Sequence, residues 1–367
     1  MNTDALSRRS FVKTAALAGA TLTTGLPSVG AASALRKRQI KLGFDNFAVR
    51  GMKWNARQLL DYAARLACDT VFITDLGPFE GKHDDASLGE VRKYAADKGV
   101  EILLGSWSIC PTSKAFKQDW GTAEEHLALG IRMAKALGSP GFRVVLGTQA
   151  DRLTEGGIEA RISDTVKVLR FQRNRAIDAG VKVAIENHSG DMQSWELVTL
   201  IEAAGKDFVG ANIDSGNACW TLEDPVANLE TLAPYVIMTS LRDSMLWESA
   251  NGVTVQWTAM GDGCVDQSAY FDLFEKRCPG VAVNIETISG FAREFPIWKP
   301  DFWQTFPKAK AADLARFLVL AKKGRPLDPF KASAGADKDK AQEDYQREQI
   351  ERSLRYCKDS LGLGQRS

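Results

Sequence analysis

Histidine is scarce in this sequence, which has only three among its 367 residues. Any metal site in the chain would therefore depend mainly on carboxylates. The six cysteines are scattered and form no CxxC pair, which excludes a zinc cage and a dense disulfide framework. Neither sign of charge is in excess, because 47 Lys and Arg residues face 46 Asp and Glu residues for a net charge of +1. Such a balance lacks the basic surface of a general nucleic-acid binder.

The first 34 residues have the pattern of an export signal. A run SRRSFVK at 7–13 precedes a mildly apolar stretch, which ends in a small-x-small cleavage pattern at 32–34. The stretch is too rich in Gly and Thr to span a membrane. The paired arginines resemble a twin-arginine signal, so we expect export by that machinery into the periplasm; a chance basic N-terminus is the alternative. Removal of 1–34 takes away three basic residues and one acidic residue and leaves a net charge of −1.

Short apolar runs alternate eight times with stretches of helical periodicity, as at 56–67, where the apolar residues follow i, i+3, i+4, i+7 spacing. This order predicts an α/β protein with a single (β/α)₈ TIM barrel over 35–325; a doubly wound sheet is the alternative. The predicted strands are 40–44, 70–74, 100–107, 142–146, 181–186, 209–214, 236–241 and 281–286. The predicted helices include 86–96, 123–137, 158–179, 226–232, 270–277 and 314–322. The tail, 326–367, is predicted to hold a charged linker at 331–343 and a helix at 346–361, which could pack on the barrel or mediate a homo-oligomer.

Three acids stand at the ends of predicted strands, where barrels carry their active-site groups. Alternation along the strands directs Glu186, His188 and Glu286 inward, and Asp214 ends the sixth strand in the same setting. A single acid at such a place is commonly a cap or a solvated residue. Three converging carboxylates repel one another unless a cation or a shared proton holds them, and oxygen ligands favour Mn²⁺ or Mg²⁺ over Zn²⁺.

The segments 186–188 (Glu-Asn-His), 214–217 (Asp-Ser-Gly-Asn), 261–266 (Gly-Asp-Gly-Cys-Val-Asp) and 285–286 (Ile-Glu) are similar in order and spacing to the xylose isomerase-like barrels. That family includes sugar isomerases, ketose 3-epimerases and inosose dehydratases, and the resemblance covers roughly 39–323. It implies a divalent metal held by a Glu, an Asp, a His and a Glu. It also implies that the two Glu residues pass a proton between adjacent carbons. By position, Glu186, Asp214 and Glu286 match three ligands, with Glu186 and Glu286 as the catalytic pair.

The fourth ligand departs from the family pattern. Family members end the seventh strand with His-x-Lys-Asp, whereas this chain has Ser240, Leu241, Arg242 and Asp243. His188 could complete the site, water or substrate oxygens could do so, or the metal site is degenerate. The other two histidines, at positions 83 and 126, are expected on the surface.

The remaining residues near the barrel mouth suit a sugar substrate. Trp107 and Trp220 could stack on a pyranose, or simply pack, and Arg242 could stabilise an enolate or pair with an acid. The predicted substrate contacts are His188, Trp107, Asn217, Trp220, Ser240 and Arg242. The sequence therefore predicts a metal-dependent isomerase or epimerase of a non-phosphorylated sugar or cyclitol. The alternatives are a 3-keto-glycoside lyase or hydrolase on the same site and a non-catalytic periplasmic glycan-binding barrel.

Overall fold

Eight parallel strands form the centre of the protein, which the computed structural model describes over residues 36–366. Strands β1 to β7 are Leu42–Asp45, Thr70–Ile73, Glu101–Ser108, Gly141–Val145, Lys182–Glu186, Val209–Ile213 and Val236–Thr239. They are followed by β8 (Asp243–Ser249), β9 (Gly252–Thr258), β10 (Val283–Ile285) and β11 (Ala292–Phe295). Strand β1 pairs in parallel with β2 and with β10, and a bridge between Leu241 and Ile285 links the end of β7 to β10. The sheet nearly closes on itself, so the predicted (β/α)₈ barrel is confirmed.

Helices follow the barrel strands and bury their apolar faces in a common core. They are α1 (Ala56–Arg65), α2 (Asp85–Lys98), α3 (Ala123–Leu137), α4 (Gly157–Phe171), α5 (Arg173–Ala179), α6 (Ser194–Ala204), α7 (Ser215–Trp220), α8 (Pro225–Leu232), α9 (Gln267–Arg277), α10 (Ala311–Lys323) and α11 (Lys338–Asp359). Local sequence sets several of the starts: Asn55 with Gln58, and Thr122 with Glu125, form reciprocal capping boxes. None of the helices in the described residues is both long and apolar enough to cross a membrane.

The sequence prediction missed a three-stranded antiparallel sheet, in which β9 lies between β8 and β11. Strands β8 and β9 are inserted between β7 and α9, where the regular repeat predicts no strand, and β11 follows β10. A signal was present: Asn251 and Gly252 separate two runs rich in aliphatic and aromatic residues, which is typical of a hairpin. The sheet matters because it supplies one wall of the cavity described below.

Two predicted helix boundaries are wrong. The helix predicted at 158–179 is broken at Gln172, whose backbone leaves the helical region and whose side chain donates to the Glu124 carbonyl oxygen at 2.9 Å. The predicted linker at 331–343 overlaps α11, which begins at Lys338 because Asp337 accepts hydrogen bonds from the next backbone amides. Helix α11 packs on the barrel through Ile350 and its buried neighbours. The predicted export signal at 1–34 lies outside the described residues.

Helix α3 approaches strand β4 so closely that one position requires glycine. A Cβ atom added at Gly130 would lie 2.0 Å from the ring of Phe142, which is fully buried. Gly89, in contrast, lies on the exposed side of α2 with no atom within 4 Å of an added Cβ. The two helical glycines therefore differ in packing and share the same backbone preference.

We expect Gly130→Ala to lower the free energy of unfolding by about 1–3 kcal/mol, because the methyl group overlaps the ring of Phe142. Gly89→Ala, the matched control, should raise it by about 0.5–1 kcal/mol through helix propensity alone. Urea denaturation of both variants measures the difference. Equal effects of the two substitutions would contradict the close packing of α3 on β4.

The prediction that His126 lies on the surface is wrong, because the residue is buried with only 2% of its surface exposed. Its Nε2 lies 2.7 Å from Ser106 Oγ, and it packs between α3 and the barrel core. Burial lowers the pKa of the imidazole to about 4, so the folded protein holds this ring neutral. His83 is only partly buried, with an edge contact to Trp120.

His126 should make stability pH-dependent in one window. Because the folded pKa lies below the ordinary value of about 6.5, the unfolded chain binds more protons between about pH 6.5 and pH 4. Stability is thus lost as the pH falls through that window, by up to about 3 kcal/mol from this group. We expect His126→Gln to lose less stability than the wild type between pH 7 and pH 4.5, in urea titrations at both values. Parallel losses in the two proteins would contradict a neutral buried ring.

Candidate active site

A cavity of about 670 Å³ opens at the carboxyl ends of the barrel strands. Charged and aromatic groups share its lining: Phe47, Arg50, Trp107, Arg143, Glu186, His188, Asn217, Trp220, Arg242, Trp257, Glu286 and Phe291. Of the predicted site residues, Asp214 and Ser240 are buried beside this cavity without lining it, and the others line it.

The three predicted carboxylates converge here. Glu186 ends β5, Asp214 follows β6 and Glu286 follows β10, and one carboxylate oxygen of each lies within 4.8 Å of the others. All three side chains are buried, so each carboxylate loses most of its hydration. The carboxyl ends of parallel barrel strands all lie at one rim of the barrel. Residues a hundred positions apart therefore come together there.

The turn after β6 positions Asp214 through its own backbone. Its amide donates to Asn187 Oδ1 at 2.8 Å, and its carbonyl accepts from Asn187 Nδ2 at the same distance. One oxygen of its carboxylate caps α7 by accepting the amides of Gly216 and Asn217. The other oxygen accepts from Asn217 Nδ2 at 2.7 Å, and this amide also lies 3.3 Å from Glu186 Oε1. Asn217 thus joins two of the three acids.

Two buried arginines balance the carboxylates. Arg242 Nη2 donates to both Asp214 and Glu286, while its guanidinium lies over the ring of Trp257, 4.4 Å from the ring centre. Arg143 Nε lies 2.9 Å from Glu186 Oε2. The sequence analysis missed Arg143, although a signal was present. A charged residue between two apolar residues of a barrel strand points into the barrel, and there it needs a partner.

Burial dominates the protonation of the acids. It raises the pKa of Glu186 to about 7 and that of Asp214 to about 8, while Arg143 and Arg242 respectively pull these values down. A third acid that the sequence analysis missed, Asp45 at the end of β1, has its pKa raised well above the usual range by burial and by Glu286. A carboxylate such as Glu186, whose pKa lies near neutrality, is suited to accept and return a proton.

Ser240 occupies the place predicted for a histidine ligand, but it turns to other partners. Its hydroxyl donates to Asp45 Oδ2 at 3.0 Å and accepts from Asn212 Nδ2 at 3.2 Å. It forms no hydrogen bond with Glu186, Asp214 or Glu286 in the described residues. The hydroxyl therefore links the first and sixth strands of the barrel.

His188 lines the cavity but stands apart from the three acids. Its Nδ1 lies 2.7 Å from the Gly147 carbonyl oxygen, and Ser189 Oγ lies 3.2 Å from its Nε2. Burial lowers its pKa to about 4, so the ring is neutral and must donate from Nδ1 to Gly147 and accept at Nε2 from Ser189. This placement favours contact with a substrate over completion of a metal site.

Aromatic rings form a second part of the lining. Trp220 stacks on Trp257 with the ring centres 4.3 Å apart, and Phe291 continues this wall at 5.6 Å from Trp257. Trp107 faces the cavity with 37% of its surface exposed, and Phe47 is similarly exposed. Trp257 and Phe291 were missed because they belong to the unpredicted sheet and the turn leading to β11.

Comparison with known proteins identifies the family of this chain. Residues 60–318 match the family model described as the xylose isomerase-like TIM barrel. The chain belongs to this family.

Relatives within and around the family are distant. The uncharacterized protein YihM of Escherichia coli is 25% identical over 148 residues, which is 40% of this chain and 44% of that protein. The 3-oxo-isoapionate decarboxylase of Pectobacterium atrosepticum is 22% identical over 204 residues, or 55% of this chain and 64% of that enzyme. The matches thus span about half of these curated relatives. A structure of D-psicose 3-epimerase determined in the presence of D-fructose is 15% identical to this chain and has a TM-score of 0.57. The match covers 88% of this chain and all of that one, so the two proteins share a fold.

The resemblance to xylose isomerase-like barrels implies a divalent metal ion, and the contacts described above decide whether these residues fit one. Glu186, Asp214 and Glu286 are the residues that could hold such an ion. However, Arg242 already bonds to two of them and Arg143 pairs with the third. No fourth carboxylate, histidine or cysteine joins the group in the described residues. As arranged, the donor set does not fit a resident divalent ion.

The Arg143–Glu186 pair can be tested through stability. We expect Arg143→Met to lower the free energy of unfolding by about 3–5 kcal/mol, because it leaves Glu186 buried without its adjacent cation. Adding Glu186→Gln to that variant should recover a large part of the loss, since the uncompensated charge is then removed. A urea-denaturation cycle over the four proteins gives the coupling. Additive losses would contradict the pairing.

Proposed function

We propose that the protein is an enzyme that transfers a proton next to a carbonyl group of a non-phosphorylated sugar or cyclitol, as an isomerase or epimerase. The observation that carries this proposal is the pair Glu186 and Glu286, two buried carboxylates that line the same cavity. One oxygen of each lies within 4.8 Å of the other and of Asp214. Membership of the xylose isomerase-like family supports it.

The chemistry needs two groups that exchange roles. One glutamate takes a proton from the carbon beside the carbonyl, and the electron pair moves through the new C=C bond onto the carbonyl oxygen. The other glutamate, or the same one after rotation of the intermediate, returns a proton to the adjacent carbon or to the opposite face. Return to the same carbon from the opposite face gives epimerisation. Return to the former carbonyl carbon gives isomerisation, because the hydroxyl on the neighbouring carbon passes its proton to the enolate oxygen and becomes the new carbonyl. A pKa of about 7 for Glu186 suits both halves of this cycle near neutral pH.

The lining favours a hydroxyl-rich, uncharged substrate. Indole and phenyl rings offer faces for the C–H surface of a sugar, and Asn217 and His188 offer polar groups for its hydroxyls. The charges of Arg143 and Arg242 are offset by the three carboxylates, which leaves no excess of positive charge to attract a phosphate dianion. Periplasmic export, predicted from residues 1–34, supports the same substrate class, because phosphorylated sugars are largely cytoplasmic.

β-Elimination from a 3-keto glycoside is a second candidate. It begins with the same proton abstraction, and the stacked rings of Trp220, Trp257 and Phe291 offer an apolar surface for the sugar of a glycoside. The Mn²⁺ or Mg²⁺ predicted from the sequence is the alternative source of positive charge at the acids, and the metal content of the wild-type protein distinguishes it from Arg242.

The proposal is tested by exchange of solvent deuterium. The protein is incubated in D₂O with D-fructose, D-tagatose, an inosose and a methyl 3-keto-glucoside, and ¹H NMR follows loss of the C–H signal beside the carbonyl. We expect exchange with at least one of these probes, and a loss of about 100-fold or more in Glu286→Gln and Glu186→Gln. Glu248→Gln, which changes an exposed carboxylate on β8, is the matched control and should exchange as the wild type does.

Two outcomes would count against an enzyme. If no probe exchanges, or if exchange survives in both glutamine variants, proton transfer by these residues is excluded. Binding of the same sugars without exchange would then identify a glycan-binding barrel. Release of methanol from the keto-glucoside would instead identify the eliminating enzyme.

A further inference from the structure

We infer that the guanidinium group of Arg242 takes the place of the divalent metal in this barrel and acts as the electrophile toward the substrate oxygen. The inference rests on the proposed function, since it names the group that stabilises the oxyanion formed by proton transfer. Arg242 would then be a catalytic residue, and the enzyme would need no metal ion.

The first argument is position. The carboxylates that could bind an ion converge on one place, and Arg242 Nη2 already donates to two of them, Asp214 and Glu286. An ion ligated by both carboxylates would need that space, so an ion and this nitrogen exclude each other. Trp257, beneath the guanidinium plane, and Ser215, which holds the Arg242 backbone through two hydrogen bonds, keep the side chain there.

The second argument is charge. Three buried carboxylates need nearby positive charge to stay ionised, and the arginines at 143 and 242 supply two of the three units. The side chains of the protein therefore already place positive charge against all three carboxylates, where an ion would otherwise have to supply it.

The third argument is unused hydrogen-bonding capacity. Arg242 is 2% exposed and lines the cavity, yet its Nε and Nη1 have no hydrogen-bond partner in the described residues. Buried donors without acceptors are costly, and guanidinium groups are rarely left so. A substrate oxygen that gains negative charge during proton transfer would supply the missing acceptor.

The fourth argument is that Ser240 and Arg242 occur together, just after the end of β7. Side chains two residues apart in an extended segment lie on the same face, so those of Ser240 and Arg242 both point toward the barrel interior. Where the resemblance implies a neutral imidazole ligand, the hydroxyl of Ser240 turns to Asp45, and the cation stands two residues later. The loss of a metal ligand and the presence of a fixed cation occur together.

The resulting step balances without a cofactor. A glutamate carboxylate takes the proton from carbon, the C–H electron pair forms the C=C bond, and the carbonyl π pair moves onto oxygen. Arg242 donates a hydrogen bond to that oxygen and keeps its proton, because a guanidinium group is not deprotonated in proteins. Return of the proton to carbon restores the carbonyl, and nothing is oxidised or reduced.

The test measures metal binding first, without any substrate. Wild-type protein purified without chelator is analysed for metal content and titrated with Mn²⁺ by electron paramagnetic resonance. We expect substoichiometric metal and no saturable Mn²⁺ binding up to about 1 mM. Arg242→Ala should gain saturable binding at the freed carboxylates, and the double variant Arg242→Ala/Ser240→His should bind more tightly through the added imidazole. Arg316→Ala, which removes an exposed arginine, is the control and should bind no Mn²⁺.

A second variant keeps the test decisive if the alanine variant does not fold in the absence of an ion. Arg242→Lys retains one positive charge between Asp214 and Glu286, so it should fold, bind no Mn²⁺, and exchange deuterium about 10–100-fold more slowly because the forked donor is lost. Thermal unfolding of Arg242→Ala with and without Mn²⁺ shows whether an ion can replace the guanidinium, and a stabilisation by Mn²⁺ that the wild type lacks is expected.

Three results would overturn the inference: stoichiometric metal in the wild type, loss of its exchange activity with EDTA, or a folded Arg242→Ala variant that binds no Mn²⁺. The failure of the proposed function is a separate result, since absence of deuterium exchange leaves the metal titrations readable. If deuterium exchange persists in EDTA and is slower in Arg242→Lys, both the proposed function and the role of Arg242 are supported.

Discussion

Mutual repulsion of buried carboxylates is the constraint on which the mouth of this barrel depends. Glu186, Asp214 and Glu286 are brought within 4.8 Å of one another by strand geometry alone, away from most water. Charges so placed must be offset by cations or by protons. Arg143 and Arg242 provide the cations, and the raised pKa values of Glu186 and Asp214 show where protons can bind. The proposed proton transfer begins from that balance.

Repetition and phase made much of the architecture predictable from sequence. Eight apolar runs at regular spacing indicate a barrel, and alternation along a strand indicates which side chains face inward. The sequence alone therefore predicts that the three acids lie together. Their partners were harder to predict, because a pattern of residue types does not show which cation lies between which carboxylates. Arg143 and Asp45 illustrate this: each is one polar residue in an apolar strand, and only the packed barrel reveals its partner.

Departures from the repeat account for most of what the sequence analysis missed. The hairpin of β8 and β9 interrupts the expected strand-to-helix connection, so its strands were not assigned and Trp257 was not considered for the site. His126 was misplaced for a different reason, since a polar residue on a helix is commonly exposed and only Ser106 on the neighbouring strand gives it a buried partner. The break at Gln172 likewise depends on a contact with a distant carbonyl, which local periodicity does not contain.

The last residues of the chain are hydrogen-bonded to its first strands. Gly364 donates its backbone amide to the Ile40 carbonyl, and the amide of Gln365 bonds to Asp69, which also holds the amide of Leu42. The barrel thus joins its beginning to its end at the amino ends of β1 and β2, opposite the cavity. The bond between Gln365 and Asp69 joins residues 296 positions apart in the sequence. Pairs so distant close a very long loop of chain, and they slow folding more than they change stability.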